Sequence, residues 1–281
     1  MVYFQFSVYI FGKDNKFNID RKQAIQGEIN VWHGRFIISV NIRNDENWEN
    51  ELRKARGKMH EGIIGCFKLW QSEKEKTFDD WFEEERIGYG LIILQQYQEY
   101  IEKCYRKMIL NGKLNVFDII NPPQSYDLIR SIHYAFKEAG IENYEVLNSK
   151  TNEFLFSSFF KEIPFVKISS LYFASIARKA ATGMKKPPNQ GMINDIKVIS
   201  HLLPYCDAMF IDNECHAYLS EQPLKDRINY GTAVFSQKTK EEFIKYLDEI
   251  ESNASVEHFN KVNEVYGDDC RNPYNNLYVN K

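Results

Sequence analysis

The 281-residue sequence holds no Gly-x-x-x-x-Gly-Lys loop, no Cys-x-x-Cys pair and no excess of positive charge. Without the glycine loop there is no backbone cradle for nucleotide phosphates, which removes that route to nucleotide hydrolysis. The five cysteines (Cys66, Cys104, Cys206, Cys215 and Cys270) are odd in number and scattered. That pattern suits reduced thiols in a cytoplasm and offers no zinc site. A formal net charge of -3 gives no global positive field, so any nucleic acid would be held by a local basic rim. The apolar start, Val2 to Phe11, is too short to span a bilayer and lacks a basic leader and a small-residue cleavage site. It is expected to be a strand of a cytoplasmic protein with no membrane partner. Repeats, low-complexity tracts and linkers are also missing, so a single domain over 1–281 is expected.

What is present is a well-filled chain, 43% hydrophobic and 15% aromatic. Val2–Phe11 and Arg35–Ile42 read as strands, apolar enough for a sheet covered on both faces. A helix is expected from about Asn44 through Trp48, Leu52 and Met59, and a long one from Thr77 to Leu110, interrupted by Gly88 and Gly90. Another opens at Ser125 and ends near Gly140. Pro164 breaks the apolar stretch after Phe154, and helix resumes over Ser169–Ala181. Short strands follow at 208–211 and 232–236, with a last amphipathic helix from Thr239. Strands alternating with helices predict an α/β fold with a parallel sheet, a helical insertion about 77–140 and a peripheral tail about 266–281.

The richest stretch runs from Asn194 to Glu214. It places Asp195 near a helix start, then a turn, then an apolar strand that delivers Asp212 and Glu214. In a parallel sheet such acids gather at the carboxyl ends of the strands. Carboxylates without histidine or cysteine partners suit hard ions, Mg2+ or Mn2+. Such an ion most often serves phosphodiester hydrolysis. Each residue has a plainer reading beside this one. Asp195 also suits a helix cap. Asp207 reads mainly as a turn or cap residue, and Glu214 equally as a distal ligand or the first acid of a helix. His216 is a candidate base, but a lone histidine is more often a packing residue. Cys206 and Cys215 flank the acids with no activating neighbour in sequence, so neither reads as a nucleophile. Arg178, Lys179, Lys185 and Lys186 read either as contacts to a phosphate backbone or as a solvated loop. The aromatic residues between 77 and 105 read as core.

The acid at a helix start followed by Leu203-Pro204-Tyr205-Cys206-Asp207-Ala208-Met209-Phe210-Ile211-Asp212, with Val234-Phe235-Ser236 later, resembles the carboxyl half of a PIN-like nuclease of a bacterial branch. The resemblance implies a three-layer αβα sandwich with a mainly parallel central sheet and acids converging at one edge. It implies a metal-dependent endonuclease, RNA favoured over DNA, of a defence or toxin-like kind that an antitoxin could restrain. It also implies a first strand reading Asp-x-Asn or Asp-x-Ser. Here Val2-Tyr3-Phe4-Gln5-Phe6-Ser7 matches the strand and Ser7, which would orient a metal-bound water, but Gln5 stands where the aspartate belongs. A further acid is implied after the second strand; Glu51 fits best, with Glu49 next. The implied metal set is Glu51, Asp195, Asp212 and Glu214, with catalysis by Gln5 (as aspartate), Glu51, Asp195 and Asp212. A neutral Gln5 weakens the ion's hold, so this chain is either inactive or slowed. The alternative expectation is a non-catalytic module of the same kind that binds RNA or a partner protein.

Overall fold

The computed structural model describes residues 46–114 and 122–253, with a few positions between 255 and 264. In chain order the elements are α1 (Glu46–Ser72), α2 (Phe78–Asn111), α3 (Gln124–Glu138), α4 (Tyr144–Leu155), α5 (Ser158–Lys161) and α6 (Pro164–Ala181). There follow α7 (Gln190–Leu202), β1 (Ala208–Phe210), α8 (Asn213–Ser220), α9 (Leu224–Arg227), β2 (Ala233–Phe235), a 3-10 turn (Gln237–Thr239) and α10 (Lys240–Asn253). This corrects the expected three-layer sandwich. Of the described residues, 74% are helical, and their only sheet is β1 paired in parallel with β2, Ala208 opposite Ala233 and Phe210 opposite Phe235. The strands expected at 2–11 and 35–42 lie outside the described residues.

A helix, not a sheet, forms the centre. Along α6, large residues such as Val166, Ile168, Leu171 and Tyr172 alternate with small Ser169, Ser170, Ala174, Ser175 and Ala177, and all are buried. Small side chains let neighbouring helices approach, and α1, α2, α7 and α9 all pack on α6. Buried Ser169 returns its proton to the helix itself, its Oγ donating to the Phe165 carbonyl at 2.6 Å. Pro164 does not break this helix but opens it, since the first helical position has no use for an N–H. Two cores result. One gathers Trp70, Trp81, Leu171, Tyr172, Ile196 and Cys215; the other gathers Phe136, Leu147, Phe154, Phe160, Ile163 and Val166.

α2 starts at a capping box, in which Thr77 and Asp80 exchange hydrogen bonds, and it runs unbroken through both glycines. At Gly90 the backbone of α4 comes close: a Cβ there would lie 2.8 Å from the Leu155 carbonyl oxygen. At Gly88 nothing lies within 4 Å of such a Cβ. The same substitution should therefore act with opposite signs. Gly88→Ala is expected to gain about 0.5–1 kcal/mol from helix propensity. Gly90→Ala is expected to lose about 1–3 kcal/mol through overpacking against a main-chain atom. Urea unfolding of the two variants compares them directly, and a stabilised Gly90→Ala protein would show that α2 and α4 have room between them.

Glu85 on α2 is partly buried, and burial, then the neighbouring Glu84 carboxylate, push its carboxyl up to about 7. The adjacent cation, Arg86, is already engaged by Glu83 and Glu162 and lies over the Phe82 ring. A folded-state value above the ordinary carboxylate range means the native protein holds a proton the unfolded chain releases. Stability from this group is thus intact below about pH 4.5 and declines as pH rises to about 7. Glu85→Gln should be near neutral at pH 4.5 and stabilising by roughly 2 kcal/mol at pH 8. Equal effects in melts at the two pH values would contradict this.

Candidate metal centre

Asn189 caps α7, its side chain accepting the Met192 N–H at 2.8 Å. Asp195, the sixth residue of α7, is therefore free of the capping role that the sequence left open. Ile193, Ile196 and Ile199 carry the buried face of the helix, and Asp195 sits half-buried at its edge. After the turn at Pro204, β1 leads to Ile211, whose N–H donates to the Phe235 carbonyl at 2.8 Å. Asp212 comes next and caps α8: Oδ1 accepts from the N–H groups of Glu214 at 2.7 Å and Cys215 at 3.0 Å. A cap at that position brings the third helical residue, Cys215, back against the carboxylate. One ligand atom each of Asp195, Asp212 and Cys215 lies within 4.8 Å of the others.

Charge at this point is uncompensated. Burial, and then the nearby Asp212, raise the Asp195 carboxyl above its ordinary range. Burial most of all, then its hydrogen bond to Asp212 and the carboxylates around it, push the Cys215 thiol far up. The thiol is therefore a neutral donor to Asp212. No cation among the described residues pairs with either acid. Two partly exposed carboxylates this close repel by on the order of 1–3 kcal/mol. The two carboxylates could hold a hard divalent ion, since Mg2+ commonly keeps several waters beside one or two such ligands. Sulfur is a soft ligand that suits neither Mg2+ nor Mn2+, so beside such an ion Cys215 would position Asp212 instead of ligating. Tyr172 of α6 steadies the same turn, its hydroxyl donating to the Cys215 carbonyl at 3.2 Å. The acids open onto a cleft of about 460 Å3 whose walls include Val198, Phe210, Asn213 and Gln237.

The other expected site residues fall elsewhere. Gln5 and Ser7 lie outside the described residues, and Glu51 falls near the start of α1, with its side chain outside them too. Glu214 is exposed in the first turn of α8 and is not one of the three converging groups. Asp207 sits at the far end of β1 from Asp212, where its carbonyl accepts the Ala233 N–H at 2.9 Å. Arg178 and Lys179 are tied down within the chain. Arg178 Nη2 donates to the Gln222 carbonyl at 2.7 Å, and Lys179 pairs with Glu221 at 2.7 Å while lying over the Tyr218 ring. Lys185 and Lys186 are exposed in a loop pinned by Gln71, which donates to the Met184 carbonyl at 3.0 Å.

Cys215, Phe210 and Gln237 were missed by sequence reasoning. Only the Asp-x-x-Cys spacing from cap to third helical residue carried a signal for Cys215. Cys66, Cys104, Cys206 and Cys215 are free thiols. Among the described residues no helix is long and apolar enough to cross a membrane. No protein-family model matches the chain, and neither a curated protein nor a solved structure is similar to it.

Proposed function

We propose that the protein is a divalent-metal-dependent endonuclease, RNA favoured, acting in the cytoplasm at the cleft between α7 and β1. The reading rests on one observation: Asp195 and Asp212, 17 residues apart in sequence, meet with no cation among the described residues to neutralise them. An Mg2+ or Mn2+ ion would supply an activated water and neutralise charge developing on a phosphodiester. Asp195 and Asp212 would hold that ion, the second through the oxygen that the cap of α8 leaves over. Cys215 and Tyr172 keep Asp212 in place from the buried side. Gln5 is proposed to add a neutral oxygen to the same ion, with Glu51 as a further acid. An aspartate in place of Gln5 would bind more tightly.

The test pairs the natural chain with Gln5→Asp and Asp195→Asn, each given Mn2+ and single-stranded RNA or DNA. Manganese-dependent cleavage by Gln5→Asp that Asp195→Asn lacks supports the reading, and no cleavage by any of them ends it. The neutral Gln5 favours a second reading, a binding module for RNA or for a protein partner of the antitoxin kind. That module would retain its partner with the acids replaced.

A further inference from the structure

We propose that a second cleft, between α8, α9 and β2, binds a nucleoside monophosphate; this goes beyond the nuclease reading and does not depend on it. The cleft holds about 300 Å3 and shares no wall residue with the one that holds the acids. Its floor is apolar: Leu219, Ile228 and Val234 pack on the first core and also line the opening. The turn into β2 has Gly231 at φ 71°, where a side chain would be strained. That turn brings Asn229 and Thr232 to the same cleft as Ser220 and Lys225.

Lys225 lines this cleft and no carboxylate does. Among the described residues no acid pairs with it: Glu221 is held by Lys179 at 2.7 Å, and Asp226 is not a wall residue. The hydrogen-bonding groups are polarised. Asn229 Oδ1 accepts the Gly231 N–H at 3.3 Å, so its amide NH2 is the half left to donate. Ser220 Oγ donates to the His216 carbonyl at 2.8 Å, and Thr232 Oγ1 to the Leu203 carbonyl at 2.6 Å. With their protons spent, both hydroxyls offer lone pairs alone. The cleft thus calls for an anion with several acceptor oxygens at Lys225 and Asn229, donors for the two hydroxyls, and an apolar face for the floor. A phosphate monoester brings about two negative charges and three acceptor oxygens. Sugar hydroxyls or a base amine supply the donors, and the base supplies the face. Inorganic phosphate meets only the first demand, and a nucleoside only the others.

The test uses the full chain in EDTA, so that no metal at the acids takes part. Uridine and adenosine 5′-monophosphates, the two nucleosides and inorganic phosphate are titrated by calorimetry. At least one monophosphate should bind about 10-fold or more tighter than its nucleoside and than phosphate. Lys225→Gln should weaken that binding about 10-fold or more, and so should Asn229→Asp, which places a carboxylate where the amide donates. Both residues are exposed, so the variants should melt with the natural chain. Lys240→Gln, outside the cleft, should leave binding unchanged. Asp195→Asn should also bind as the natural chain does, whatever becomes of Mn2+, which keeps this inference separate from the metal reading. No monophosphate binding at about 10 mM, equal affinity for phosphate and monophosphate, or natural affinity in either Lys225→Gln or Asn229→Asp overturns it.

Discussion

Asp212→Asn should abolish Mn2+ binding while melting within about 0.5 kcal/mol of the natural protein. The reason is the double duty of this side chain. Asparagine caps a helix about as well as aspartate, so the bonds from the N–H groups of Glu214 and Cys215 survive. Only the charge facing Asp195 is lost. Asp195→Asn removes the other half of the pair, and relief of repulsion should leave it as stable as the natural chain or more so by about 1 kcal/mol. Asp212→Ala loses both functions and should cost a further ~1 kcal/mol of stability. Where cleavage is measurable, each asparagine variant should lower it by at least about 100-fold, the scale of a few kcal/mol of lost charge stabilisation. Calorimetric titration with Mn2+ and thermal melts separate the series. Unaltered Mn2+ affinity in Asp212→Asn would remove the acid pair from any metal role.

Phe154→Ala should cost about 3–5 kcal/mol, the largest stability loss expected from a single change in the second core. Phe154 is fully buried on α4 and meets Phe160 of α5 edge-to-face at 5.8 Å. Its removal leaves a void between two short, closely tied helices whose backbones have little freedom to close it. Total stabilities are commonly 5–15 kcal/mol, so the loss is a large share of the whole. Phe154→Leu, which keeps most of the volume, should cost less than half as much. Urea unfolding measures both. A loss below about 1 kcal/mol for the alanine variant would mean that this core is loosely packed.

The segment from Asn189 to Asn253 was largely legible in the sequence because its punctuation is local. Turn, strand and helix follow from Pro204, the apolar run at 208–211 and the capping residue Asp212, and the convergence of Asp195 with Asp212 follows from a helix running back along its strand. The sheet was overread for an opposite reason. It rested on strands expected at 2–11 and 35–42, far from the site in sequence, and nothing local to α6, expected as helix over Ser169–Ala181, told that a helix would be the centre. Pro164 looked like a break and is a start. Phe210 was read only as part of a strand; its exposure depends on which face the core takes. Arg178 and Lys179 looked free because their partners, Glu221 and Gln222, lie more than 40 residues along the chain. Charge runs report composition, and only the folded chain reports what already occupies them.

The single rod at the centre also limits how this molecule can be taken apart. One end of α6 feeds the cluster around Phe154, and the remainder feeds the cluster behind the acids. A fragment ending before residue 164 would carry half a hydrophobic interior with nothing to close it, and the complementary piece would carry the other half. Neither is expected to be recovered as a folded species from expression or from limited proteolysis.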